Sequence, residues 1–197
     1  MADRLNLRRR LHELAFRQAG YFTAGQAVQV GYTHQAQKYH ADRGNWIRLG
    51  RGLFRLAEWP TAADDVYARG AAWSEGTGVV SHQSAADVHD LGDLDAGPLH
   101  LTLQVGRSAP DGFVVHVDDL DDADVEDRGA YRVTTPRRTV LDLASADITQ
   151  EQLDAVIVDA VAAGQVEPAS LRHRVDLFGH RAALRVERAL TAVEGRT

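Results

Sequence analysis

No cysteine occurs among the 197 residues, which excludes disulfides and thiolate-held metal. The lack fits a reducing compartment. Lysine is almost as scarce. Lys38 is the only one, and arginine supplies the rest of the positive charge. Restriction-nuclease chemistry in the C-terminal part needs a carboxylate pair beside a lysine, so this scarcity argues against it. No apolar run approaches the ~18–20 residues of a membrane span. The first ten residues are charged and carry no apolar stretch, so no secretory signal is expected. These absences together predict a cytoplasmic protein. No internal repeat or low-complexity segment is visible. What is present is an apolar content of 44% with 7% aromatics, enough for real cores.

The net charge of −6 would ordinarily argue against nucleic acid. Its distribution argues the other way. Residues 1–60 hold ten basic residues against four acidic ones, a net charge of +6, and the remainder carries −12. One module suited to phosphate beside one that is not is the expected footprint of a DNA-binding chain.

Residues 4–19 read as an amphipathic helix ended by Gly20. Thr23 with Gln26 three residues on forms a capping box, Phe22 can staple to Ala27, and Gly31 terminates the helix. Thr33 begins a second short helix that runs to about Arg43 and stops at Gly44. Two apolar runs, Trp46–Leu49 and Leu53–Leu56, flank Gly50-Arg51-Gly52 and predict a hairpin. Alternation puts Arg48 and the turn residue Arg51 outside, with Ile47, Leu49, Leu53 and Phe54 packing inward. Helix, helix, short turn, helix and hairpin make a winged helix-turn-helix pattern, whose second motif helix lies in the major groove. Pro60 marks a boundary. The expected fold is therefore α+β: a winged helix-turn-helix over residues 1–60, then a mixed domain over 61–197 with a small β-sheet and C-terminal helices. Strands are predicted at Leu99–Val105, Gly112–Val117 and Tyr131–Thr134, and the acidic run Asp118–Asp127 reads as a solvated loop. Thr135-Pro136 starts a helix over Arg137–Ser145. Helices follow at about 149–163, 167–175 and 179–193.

The expected DNA-binding residues are Thr33, His34, Gln35, Lys38 and Arg43 on the recognition helix. Arg48, Arg51 and Arg55 on the wing, and Arg8 and Arg9 on the first helix, join them. Glutamine bonds adenine bidentately, and lysine reaches guanine acceptors or phosphate. Arg51, at the wing tip, suits a minor groove. Asp42 is unfavourable near phosphate and is expected to point away. Tyr39 and His40 read as structural. His82 and His89, seven apart, share a helix face, and His100 and His116 sit on strand candidates. No metal-ligand spacing such as HExxH links them. No nucleophile elbow surrounds Ser81, His82 and Asp87, and Gly76-Thr77-Gly78 is too short for a phosphate cradle. The aspartates of 118–127 lack the spacing of a calcium loop. No enzyme activity, cofactor or metal is expected. Arg137 and Arg138 are expected to pair with the acidic run.

Six segments in order resemble the AbiEi family of antitoxins from type IV toxin–antitoxin systems. They are Phe22–Ala27 (FTAGQA), Gly31–Gly44 (GYTHQAQKYHADRG), Trp46–Leu56 (WIRLGRGLFRL), Ser81–Leu91 (SHQSAADVHDL), Leu99–Leu103 (LHLTL) and Thr134–Ala144 (TTPRRTVLDLA). The resemblance implies a winged helix that represses its own operon promoter at inverted repeats of double-stranded DNA. It implies a C-terminal domain linked to antitoxicity, and a nucleotidyltransferase-like toxin as the functional partner. Gln37 departs from the pattern, standing where an apolar residue facing the core is expected. A different reading makes the chain a solitary winged-helix regulator whose C-terminal part is a protein-interaction module without an adjacent toxin.

Overall fold

The computed structural model describes residues 2–95 and 97–195. Over them the chain is α+β and divides into two compact units. The first comprises residues 1–78 together with 128–132, and the second 79–127 and 133–197.

The first unit begins with helix α1 (Ala2–Phe16) and the short strand β1 (Tyr21–Thr23). Helix α2 (Ala24–Val30) starts at the expected capping box: Thr23 Oγ1 accepts from the Gln26 amide at 3.1 Å, and the Gln26 side chain accepts from the Thr23 amide at 2.8 Å. Gly31 ends it at φ +121°, where a Cβ would lie 2.7 Å from Leu7. The left-handed φ favours glycine at this position. Helix α3 (His34–Asp42) is capped by Thr33, whose hydroxyl accepts from the Ala36 amide at 3.1 Å. Strands β2 (Trp46–Gly50) and β3 (Leu53–Leu56) form the hairpin. β1 pairs antiparallel with β3, so the hairpin is part of a three-stranded sheet in the order β1-β3-β2.

Alternation along β3 gives the sheet two faces. Phe54 and Leu56 join Leu11, Phe22, Val30 and Trp46 in one buried cluster. Leu53 joins Tyr21, Ala68 and Ala72 in another. The last two belong to α4 (Asp65–Trp73), which covers the second face of the sheet. For this reason the first unit does not stop at residue 60, as Pro60 suggested. Its boundary falls after Gly78, and residues 128–132 return to it. Tyr131 packs its ring 5.2 Å from that of Tyr67 and donates its hydroxyl to Asp64 at 3.1 Å. Arg132 donates to the carbonyls of Gly76 and Thr77 at 3.0 and 3.1 Å.

The second unit is built on a five-stranded sheet in the order β6-β5-β4-β8-β7. Its strands are β4 (Val79–Val80), β5 (Leu99–Leu103), β6 (Phe113–Val117), β7 (Val125–Asp127) and β8 (Arg132–Thr134). β4 and β7, two and three residues long, have no counterpart among the expected strands. β4 runs antiparallel to β5 and parallel to β8, and β5 runs parallel to β6. The helices are α5 (His82–Val88), α6 (Pro136–Ser145), α7 (Gln150–Ala162), α8 (Pro168–Arg174) and α9 (His180–Glu194). Their apolar faces form one core that includes Leu91, Leu141, Leu153, Ile157, Leu171 and Leu190. Among the described residues no helix is long and apolar enough to cross a membrane.

The acidic run is not a uniformly solvated loop. Asp124 is buried, its side chain only 2% exposed, and it meets Arg137 at 2.9 Å, Arg174 at 3.2 Å and Arg138 at 3.6 Å. Asp118 also pairs with Arg138. Three guanidiniums close around one carboxylate because a buried charge left single costs several kcal/mol.

Arg185 is the second buried guanidinium of note. It donates to the carbonyls of Ala144, Ala146, Ile148 and Thr149 at 2.6–3.1 Å, where α6 ends and the chain turns into α7. A methionine there fills similar space but leaves these carbonyls without their donor. Arg185→Met is expected to lower the stability of the second unit by about 3 kcal/mol, read as a fall in its urea midpoint with an unchanged slope.

Candidate nucleic-acid interface

Helix α3 presents two stripes, each spaced by four residues as neighbours on a helix face must be. His34, Lys38 and Asp42 form one, and Gln35, Tyr39 and the C-cap residue Arg43 the other. All six are exposed. The first stripe lines a cleft of about 470 Å³ between α3 and the hairpin, with Gln37 and Ala41 beside it and Arg48, Gly52 and Phe54 opposite. On the second stripe the Arg43 guanidinium lies 5.4 Å from the centre of the Tyr39 ring.

Of the residues expected to meet DNA, His34, Lys38 and Arg48 converge on the cleft. Gln35, Arg43 and the wing-tip Arg51 are exposed without lining it, and Thr33 serves as the cap of α3. Arg8 and Arg9 are exposed on α1 and already paired, with Glu58 at 3.4 Å and Glu13 at 3.5 Å. Such exposed pairs are weak and exchange readily.

Arg55 does not belong to the set. It is 8% exposed, its guanidinium donates to Asp65 at 2.9 Å and to the Pro60 carbonyl at 2.8 Å, and it lies 5.4 Å from the Tyr21 ring. β3 is the central strand of its sheet, so the face that carries Leu53 and Arg55 looks at α4 rather than at solvent. Asp42 is a second correction. It does not point away from the other residues of the candidate site, because it shares a stripe with His34 and Lys38 and accepts from Lys38 at 2.6 Å. Tyr39 is a third, at 54% exposed. Ile47 and Leu49, expected to pack inward, are 42% and 40% exposed. β2 is an edge strand whose only buried residue is Trp46, and a bulge between Arg48 and Gly50 carries the tip beyond the core. Of these, Asp42 could have been found from its spacing to His34 and Lys38. The exposure of Ile47 and Leu49 has no signal in the local sequence.

Gln37 is buried, and its amide donates to the Ala24 carbonyl at 3.1 Å. A polar residue at this core position thus ties α3 to α2 instead of loosening it. His40 is structural: its ring stacks 4.8 Å from Trp46, and its Nδ1 lies 3.2 Å from the Asn45 amide. Burial lowers its pKa.

The histidines of the second unit do not follow the expected grouping. His89 is buried alone against the Thr134 carbonyl at 2.7 Å. His82 stacks face to face on His116 at 3.5 Å, and His116 Nε2 meets His100 Nδ1 at 2.9 Å. Burial pushes His82 down to about 3, with His116, His100 and Arg138 adding to the effect, and His100 down to about 4. His116 is lowered too. Among the described residues no group of three or more acidic or histidine side chains is arranged to hold a metal ion.

No family model and no curated protein matches the chain. Among solved structures it is similar to the RV2827C protein from Mycobacterium tuberculosis, with a TM-score of 0.63 at 17% identity over 93% of this chain and 75% of that one. The likeness is one of fold.

Arg55→Met leaves the partly buried Asp65 without its Arg55 partner. It is expected to destabilise the first unit by about 1–3 kcal/mol, measured by urea unfolding. The stacked histidines predict a pH dependence of the second unit. Unfolded, each takes a proton near pH 6.5; folded, His82 resists until about 3 and His100 until about 4, and burial lowers His116 as well. Their contribution is therefore complete above pH 6.5 and lost progressively as the pH falls below it. Asp142, raised to about 6 by burial, opposes this by taking up its proton early in the folded state. His82 and His100 together outweigh it, so the melting temperature should drop between pH 6.5 and 4.5. The drop should shrink in His82→Asn, a residue that tolerates the φ of +53° found at this position.

Proposed function

We propose that the chain is a DNA-binding transcriptional repressor that acts as the antitoxin of a type IV toxin–antitoxin pair and autoregulates its operon promoter. The observation that carries the DNA part is the cleft in the first unit, where His34 and Lys38 of α3 face Arg48 of the wing. Charge supports it. The first compact unit, with thirteen basic and seven acidic residues, keeps a net charge of +6 after its boundary moves to Gly78 and gains 128–132.

The mechanism follows from dimensions. A helix is about 10–12 Å across with its side chains and fits a major groove about 12 Å wide. Gln35 and Lys38 then meet base edges, while Arg48 and Arg51 reach phosphate or the neighbouring minor groove. Occupying the promoter at paired half-sites blocks transcription. The antitoxin role rests on the six ordered segments that resemble AbiEi antitoxins. It implies a nucleotidyltransferase-like toxin encoded nearby, no catalysis by this chain, and action in the cytoplasm.

Footprinting on the DNA upstream of the gene tests the DNA part. Protection is expected at low salt, with affinity falling steeply as salt rises. Replacing Arg48 and Arg51 together by alanine should reduce the log–log salt slope by about 0.9 for each phosphate that is no longer neutralised. No protection at low salt sinks the repressor reading. Coexpression with the adjacent toxin that fails to restore growth removes the antitoxin role alone.

A further inference from the structure

We infer that Asp42 is a specificity-determining residue, which reads a base-edge amino group in concert with Lys38 and suppresses binding to unselected DNA. The inference rests on the DNA-binding reading of α3.

Asp42 is placed where simpler purposes are badly served. It is the last residue of α3, and a carboxylate there faces the negative end of the helix dipole. Lys38 precedes it by four residues, the less favourable order for a helical ion pair. Both side chains are largely exposed, at 76% and 61%, so the pair contributes little to stability. Toward phosphate, a carboxylate is repulsive, and it neutralises the one ammonium on the recognition helix. Asp42 thus weakens both the helix and sequence-independent affinity.

Its position gives it another use. His34, Lys38 and Asp42 run along one stripe that lines the cleft. Eight residues of helix advance about 12 Å, the span of three to four base steps in a groove. Along that stripe the chemistry changes from an imidazole to a cation to an anion. A lysine seeks the acceptors of guanine, whereas an aspartate accepts from the amino group of cytosine. Held 2.6 Å apart, Lys38 and Asp42 present a donor and an acceptor side by side. Phosphate satisfies only one of them, and a guanine next to a cytosine satisfies both. Binding away from such a step leaves Asp42 against the backbone charge, which is how repulsion produces selectivity.

The test uses the full chain and a pool of short duplexes of randomised sequence, with selection, sequencing of the bound fraction and salt titration. Asp42→Asn is expected to bind the unselected pool several-fold more tightly than the wild type. Its salt slope should steepen by about 0.9, because Lys38 is released to a phosphate. Its selected motif should lose a cytosine preference at one position. Asp42→Glu, which keeps the charge, should leave affinity for the pool at the wild-type level. An identical motif from the wild type and Asp42→Asn overturns the inference, whatever happens to pool affinity. Wild type that binds no duplex at low salt overturns the DNA-binding reading beneath it.

Discussion

Phe22, Trp46 and Phe54 meet ring to ring, with Phe22 4.8 Å from Trp46 and 5.8 Å from Phe54. Phe22 is wholly buried. Tyr32 and His40 pack on the other sides of Trp46 at 5.1 and 4.8 Å. This knot joins the strand before α2, the turn before α3, α3 itself and both strands of the hairpin. Aromatic pairs add ~0.5–1.5 kcal/mol each beyond area burial, but their geometric effect matters more. The cleft keeps its width only if α3 and the wing hold a fixed spacing, and the backbone that joins them through Arg43, Gly44 and Asn45 does not set it alone. The indole of Trp46 enforces it by filling the space between them. The Gln37 bond to the Ala24 carbonyl then fixes the rotation of α3 about its own axis. Rotation decides which stripe faces the cleft.

Charge is divided between the two units by use as well as by sign. In the second unit Arg137, Arg138 and Arg174 surround Asp124, and Arg138 also meets Asp142 at 2.7 Å. The Phe178 ring lies 5.0 Å from the Arg138 guanidinium. Arg185 is occupied by carbonyls. These cations are structural and are not offered to a polyanion. In the first unit Arg55 is similarly occupied, whereas Arg48 and Arg51 project from the hairpin. A net-charge count cannot make this distinction, because it does not know which guanidiniums are buried.

What the residues reveal on their own is local. Thr23 with Gln26, Thr33, and Thr135 before Pro136 set helix starts through bonds that reach three residues ahead, and all three caps form. The pairing of Arg137 and Arg138 with the acidic run is legible because two adjacent cations in an acidic stretch need partners. Distant partners leave no such mark. Arg55 reads as a wing residue in sequence, and only the pairing of β1 and the packing of α4 cover its sheet on one edge and one face. β4 and β7 are too short to leave a period. Ile47 and Leu49 obey alternation, yet the strand they sit on runs past the end of the core. The site is legible in outline at His34, Lys38 and Arg48. The role of Asp42 depends on knowing that its stripe meets the wing.

Residues 128–132 belong to the first unit although nearly fifty residues of the second intervene. The contribution of Tyr131 to Tyr67 and Asp64 therefore arrives late in synthesis. A ribosome that has released residue 78 has made the helices and the hairpin but not the segment that completes them. The nascent module must wait through β5, β6 and the acidic run before its last partners exist, and a closure between such distant positions is slow. The chain thus carries a timing constraint. Its N-terminal module is translated first and finished afterwards, so full consolidation of the side covered by α4 is tied to synthesis of the segment that carries Tyr131 and Arg132.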